Sequence, residues 1–96
     1  MPEGELVEVL CRGRHGHIER IVSQGEVSPP GFWYDQEQAE WVLLLQGSAE
    51  LAFEDGSKIG LQTGEYLLLP AHQKHRIDYT SKNPSCIWLC VFADEK

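Results

Sequence analysis

Turn-forming residues recur along this chain at intervals too short for helices. Gly25, Pro29-Pro30-Gly31, Gly47, Asp55-Gly56, Gly64, Pro70 and Asn83-Pro84 divide it into brief pieces, none of which carries a useful helical period. The pieces between them are apolar and rich in strand-forming side chains. They read as strands over residues 17–23, 40–46, 48–53, 57–61, 66–69, 75–80 and 86–92. Residues 24–31 are a loop, because consecutive prolines cannot donate to a ladder. Asp55-Gly56 is a tight-turn signal, so 48–53 and 57–61 should form a hairpin. Evenly spaced short strands without a helix predict an all-β sandwich or closed barrel. Leu6, Val7, Val9 and Leu10 leave residues 1–12 open between an edge strand and a helical turn.

Period-two alternation then gives each strand an inside and an outside. With Glu40 inward, Val42 and Leu44 follow it, and Trp41, Leu43 and Leu45 face out. Cys86, Trp88, Cys90 and Phe92 share one face of the last strand, and Ile87, Leu89 and Val91 the other. From His75 the inward set continues with Ile77 and Tyr79. An outward Trp/Leu/Leu stripe must be covered by a second sheet, by the N-terminal segment or by a partner subunit.

A chain of 96 residues is one domain, here an N-terminal segment over 1–16 and a barrel over 17–92. The odd cysteine count (Cys11, Cys86, Cys90) and the acidic start, Met1-Pro2-Glu3-Gly4-Glu5, suggest neither a disulfide framework nor a secretory leader. Cys86 and Cys90 are also too far apart along an extended strand to bond to each other, and they read as small core residues. The longest apolar run, residues 87–93, spans seven residues, far short of a membrane crossing. A soluble cytoplasmic protein with reduced thiols is expected. The net charge of −7 argues against nucleic acid and anionic membrane surfaces as partners. Arg12, Arg14 and Arg20, flanked by Glu8 and Glu19, read as a solvated edge, and His15-Gly16-His17 as an exposed pair.

Two spaced motifs take the reading further. Glu40 is followed after six residues by Gly47, and Gly64 after five by Pro70, with His72 and His75 just beyond. This resembles the cupin family, whose two motifs have the forms G-x5-H-x-H-x(3,4)-E-x6-G and G-x5-P-x-G-x2-H-x3-N. The likeness covers roughly residues 25–92 and implies a cupin-type double-stranded β-helix, or jelly-roll barrel. It is closest in character to small stand-alone bacterial cupins of mostly unassigned activity. His75 stands where the second motif has its histidine, and His72 where it has glycine. The H-x-H pair of the first motif is missing. With four residues before Glu40 its place is held by Trp33-Tyr34-Asp35, and with three by Tyr34-Asp35-Gln36.

Cupins place the two histidines, the glutamate and the second-motif histidine around one divalent ion. Carried over here, the resemblance implies Asp35, Glu40 and His75 as ligands, with His72 or Gln36 as a fourth. Two carboxylates and an imidazole suit iron, manganese or zinc, and open positions would make such a site catalytic rather than structural. The competing reading is metal-free: Glu40 bonds to His75, Asp35 ends a loop, and Trp33 fills the ion's place. In either case the pocket is expected to hold Trp33 and Tyr79 around the polar groups and to receive a small-molecule ligand. A carboxylate beside an imidazole can move protons without a metal. The family likeness also implies a homodimer. A metal-dependent small cupin, a ligand-binding cupin without enzyme activity and a purely structural barrel all fit, because this fold hosts many functions.

Overall fold

The computed structural model describes residues 4–94. Residues 1–3, part of the acidic start, and 95–96 lie outside the described part. The described chain is all strand: β1 (Leu6–Arg12), β2 (Gly16–Ser23), β3 (Ala39–Gln46), β4 (Ser48–Phe53), β5 (Lys58–Gln62), β6 (Tyr66–Leu69), β7 (His75–Thr80) and β8 (Cys86–Ala93). Five strands form one sheet in the order β1-β2-β8-β3-β6, and three form a second in the order β5-β4-β7. No described helix is long and apolar enough to cross a membrane. Residues 1–12, left open by the sequence, contribute the edge strand β1, which pairs antiparallel with β2.

Alternation works as expected through β3 and β8. Val42, Leu44, Cys86, Trp88 and Cys90 are buried between the sheets, where Leu51, Leu61 and Leu69 meet them to form the core. The predicted hairpin is present. Asp55 Oδ1 accepts from Ser57 N at 2.8 Å and from Ser57 Oγ at 2.6 Å, and Gly56 takes φ +92°, the left-handed region that glycine enters without strain.

The strand pairing sorts the inner face of the larger sheet by depth. His17, Phe92, Glu40 and Leu69 sit opposite one another in one cross-strand row, and Glu19, Cys90, Val42 and Leu67 form the next. Ile21, Trp88 and Leu44 form a third. The row of His17 and Glu40 therefore marks a polar end of the barrel, and Ile21, Trp88 and Leu44 lie deeper.

Beside the slip between Val9 and Cys11 in β1, two irregularities in the barrel strands bear on which residues point inward. Between Glu50 and Leu51 the register against β7 slips, so that Glu50 faces Tyr79 and Leu51 faces Ile77. A bulge at Asp78 reverses which residues point inward. Thr80 is buried and Tyr79 is half exposed, which corrects the expectation that Tyr79 lines the interior. The slip between Leu44 and Gln46 leaves Gln46 exposed, where alternation from Glu40 would turn it inward, beside Leu45, which faces out as expected.

Candidate functional site

At its polar end the barrel opens into a cavity of about 50 Å³. That is room for roughly three to five water molecules, or a small organic group. Glu40 from β3 and His75 from β7 form its polar centre, His75 Nε2 lying 3.8 Å from Glu40 Oε1. Both residues are buried, Glu40 to 7% exposure and His75 to 4%.

The chemistry of this pair follows from its surroundings. His75 Nδ1 lies 3.0 Å from the carbonyl oxygen of Gln73. A carbonyl only accepts, so Nδ1 carries the proton, and in the neutral ring Nε2 presents a lone pair toward Glu40. Burial holds the His75 imidazole below its usual pKa, against the opposing pull of the Gln73 carbonyl. Burial pushes the Glu40 carboxyl up to about 7, Glu19 adds to the rise, and hydrogen bonds from Cys90 and Gln36 oppose it. Near neutral pH the site thus holds a carboxyl that is readily protonated or deprotonated beside an unprotonated imidazole.

Tyr34 closes the cavity on the loop side. It bridges to His75 through two backbone hydrogen bonds, of 2.7 and 3.2 Å, and its ring stacks on the imidazole at 5.3 Å with an interplanar angle of 21°. This single bridge decides which loop residues face inward. Tyr34 and Gln36 line the cavity. Asp35, between them, turns away and accepts a hydrogen bond from His72 Nδ1 at 2.9 Å, where both side chains are largely exposed. His72 holds φ 63°, left-handed backbone at the place where the second cupin motif has glycine. Trp33 also lies outside the cavity, beneath the Arg76 guanidinium at 6.0 Å. Trp33 and Tyr79 are therefore corrected as pocket residues.

Of the proposed metal ligands, Glu40 and His75 come together with Gln36, and Asp35 and His72 pair elsewhere. The two readings of the first motif are separated here. With three residues before Glu40, the histidine positions are Tyr34 and Gln36, and those two side chains share the cavity with Glu40 and His75. As a donor set for a divalent ion they fit poorly. Gln36 supplies a neutral amide, and burial with nearby Glu5 and Glu40 raises the Tyr34 phenol above its usual pKa and so disfavours phenolate. Among the described residues, no three His, Cys, Asp or Glu side chains converge to hold a metal ion.

Three further residues of the cavity and its groove escaped the sequence reading. His17 is not an exposed member of a chance pair. Its Nε2 meets Glu19 Oε2 at 3.0 Å, its ring stacks on Phe92 at 4.6 Å, and it lines an open groove that shares Glu19, Gln36 and Phe92 with the cavity. His15, by contrast, is exposed and pairs with Asp94. Glu5, just ahead of β1, also lines the cavity and accepts from Ser23 Oγ. The i, i+2 spacing of His17 and Glu19 on a strand was the available signal.

Comparison with known proteins now places the fold. The model of the cupin domain matches residues 18–92. The chain is a cupin. A Ralstonia eutropha protein, provisionally named a mannose-6-phosphate isomerase, is 38% identical with a TM-score of 0.92, covering 97% of this chain and 87% of its own. A cupin superfamily protein from Desulfitobacterium hafniense is 22% identical with a TM-score of 0.81, over 99% of this cupin and 82% of that chain. The polyketide cyclase RemF from Streptomyces resistomycificus is 18% identical with a TM-score of 0.79, over 98% and 68%. The latter two show shared fold alone. A search of curated proteins gave no significant match.

Proposed function

We propose that this cupin binds a small organic molecule in its barrel mouth and handles protons there through Glu40 and His75. The observation that carries the reading is the buried Glu40–His75 pair, 3.8 Å apart and facing a cavity walled by aromatic and aliphatic side chains. A carboxyl poised near pH 7 can give a proton to a bound ligand or take one, and the bare Nε2 of His75 can serve as the partner base. Tyr34 and Gln36, at the histidine places of the first motif, shape and hydrogen-bond the ligand in this reading. The name of the Ralstonia neighbour raises a phosphorylated sugar as substrate. No described lysine or arginine lines the cavity or its groove to take a phosphate, so that substrate is not carried over.

The test is carboxyl NMR on glutamate-labelled protein. One carboxyl is expected to titrate near pH 7, to disappear in Glu40→Gln, and to shift on addition of small-molecule fragments that fill the cavity. Absence of such a carboxyl overturns the reading. So does about one equivalent of transition metal that co-purifies with untagged protein and is lost in a Glu40→Gln/His75→Ala variant, because the pair would then be ligands.

The outer face of the larger sheet supports a homodimer as a second proposal for this chain. Trp41, Leu43, Leu89, Val91 and Ile18 lie there, with Tyr66 and Leu68 exposed at its edge. Neither the smaller sheet nor β1 covers them, since β1 extends the same sheet at its other side.

A further inference from the structure

Resting on the reading of the cavity as a ligand site, we infer that the barrel mouth of this cupin selects a short primary ammonium compound and rejects anions. Glu5, Glu19 and Glu40 line the cavity itself, and Glu37 and Asp94 join Glu19 along the groove that leads into it. Lysine and arginine are absent from both linings among the described residues. Four of the seven described lysines and arginines are ion-paired away from the cavity and groove. Arg20 faces Glu8 at 3.8 Å, Lys58 lies between Glu50 and Asp78, Lys74 meets Glu54 at 3.4 Å, and Arg76 is held by Asp78 at 2.7 Å.

The carboxylates act together on the interior. Burial holds the Glu5 and Glu40 carboxyls above their usual range. In their ionised forms they add, with Glu19, to the burial that raises the Cys90 thiol, and they add to the burial that raises the Tyr34 phenol. A phosphate or carboxylate entering this field would lose its hydration and meet like charge on several sides. An ammonium group gains hydrogen-bond acceptors and opposite charge. The Tyr34, Trp88 and Phe92 rings add aromatic faces and apolar wall for a short alkyl chain. The cavity's small volume limits the buried part of the ligand to a few heavy atoms.

The experiment compares propylammonium, propionate and inorganic phosphate at matched ionic strength in chelator-treated buffer. NMR of the Gln36 side-chain amide and of the glutamate carboxyls follows binding. Propylammonium is expected to shift the Gln36 and Glu40 signals saturably, while propionate and phosphate leave them in place. Glu19→Gln and, independently, Glu5→Gln are expected to weaken propylammonium by about threefold to tenfold. Glu50→Gln, on the outer face of the smaller sheet, should leave it unchanged. Propionate or phosphate moving the cavity signals as strongly as the amine would overturn the charge selection and leave the cavity reading standing. Silence from all three probes overturns both.

Discussion

Glu40 joins burial to ionisation, and the sign of its effect on stability can be worked out. Its folded pKa of about 7 lies above the ordinary value of 4.5, so between these limits the folded state binds more protons than the unfolded chain. Stability contributed by the protonated form is therefore present below about pH 4.5 and is lost as pH rises through 7, by up to about 3 kcal/mol. His75, with its lowered pKa, works in the opposite direction over its own range. The Glu40 part is isolated by comparison with Glu40→Gln. Denaturant unfolding should show the variant gaining on the wild type by up to about 3 kcal/mol between pH 4.5 and 8. A constant difference across that range would mean that Glu40 is not desolvated. That Glu40 and His75 come side by side was implied by the resemblance to the two cupin motifs, in which they stand at fixed spacings from Gly47 and Pro70. Which residue of Trp33-Tyr34-Asp35-Gln36 joins them was not. The direction of a loop side chain depends on one bridge to a strand distant in sequence.

At the scale of elements, the junction between β3 and β4 governs how the two sheets meet. Gly47 holds φ +90° there, and an added Cβ would run into Ser81 Oγ and sit 3.1 Å from Cys86 Cα. Gly56 in the β4–β5 hairpin has a similar φ of +92° with nothing within 4 Å of an added Cβ. Both Gly→Ala changes incur the left-handed penalty of about 1–2 kcal/mol. Only Gly47→Ala adds a clash with neighbouring atoms, bringing its expected cost to about 3 kcal/mol or more. Thermal unfolding of the two variants side by side checks this, and equal losses would show that the junction relaxes freely. The hairpin itself was readable from Asp55-Gly56, because its turn chemistry is local. The bulge at Asp78 was not, since it exists only in the pairing of β7 with β4.

At the scale of the molecule, the outsides of the two sheets differ in character. Lys58, Glu50, Asp78 and Arg76 form an ion-paired surface on the smaller sheet. On the larger sheet, Trp41 stands beside Tyr66, their ring centroids 5.8 Å apart, in a field of Leu and Val. An apolar sheet face of this kind fits association through a self-complementary surface. Light scattering is expected to give a dimer mass for the wild type and a monomer for Trp41→Glu. A variant that stays a soluble dimer would remove β3 from the interface.

The sequence by itself determined the seven strands from β2 to β8, the order of turns, the all-β class and the inward set of β3 and β8, and through its cupin resemblance it brought Glu40 and His75 together. The strands, turns and inward sets depend on spacing along a single unbroken strand or turn. The tertiary structure alone decided that Tyr34 and Gln36, not Trp33 and Asp35, face the cavity, that Tyr79 leaves it, that Glu5 and Glu19 line it, and that His17 lines the adjoining groove. Period-two alternation carries a side chain's direction only as far as the next bulge or loop. Beyond that point, pairing across the sheets sets the direction.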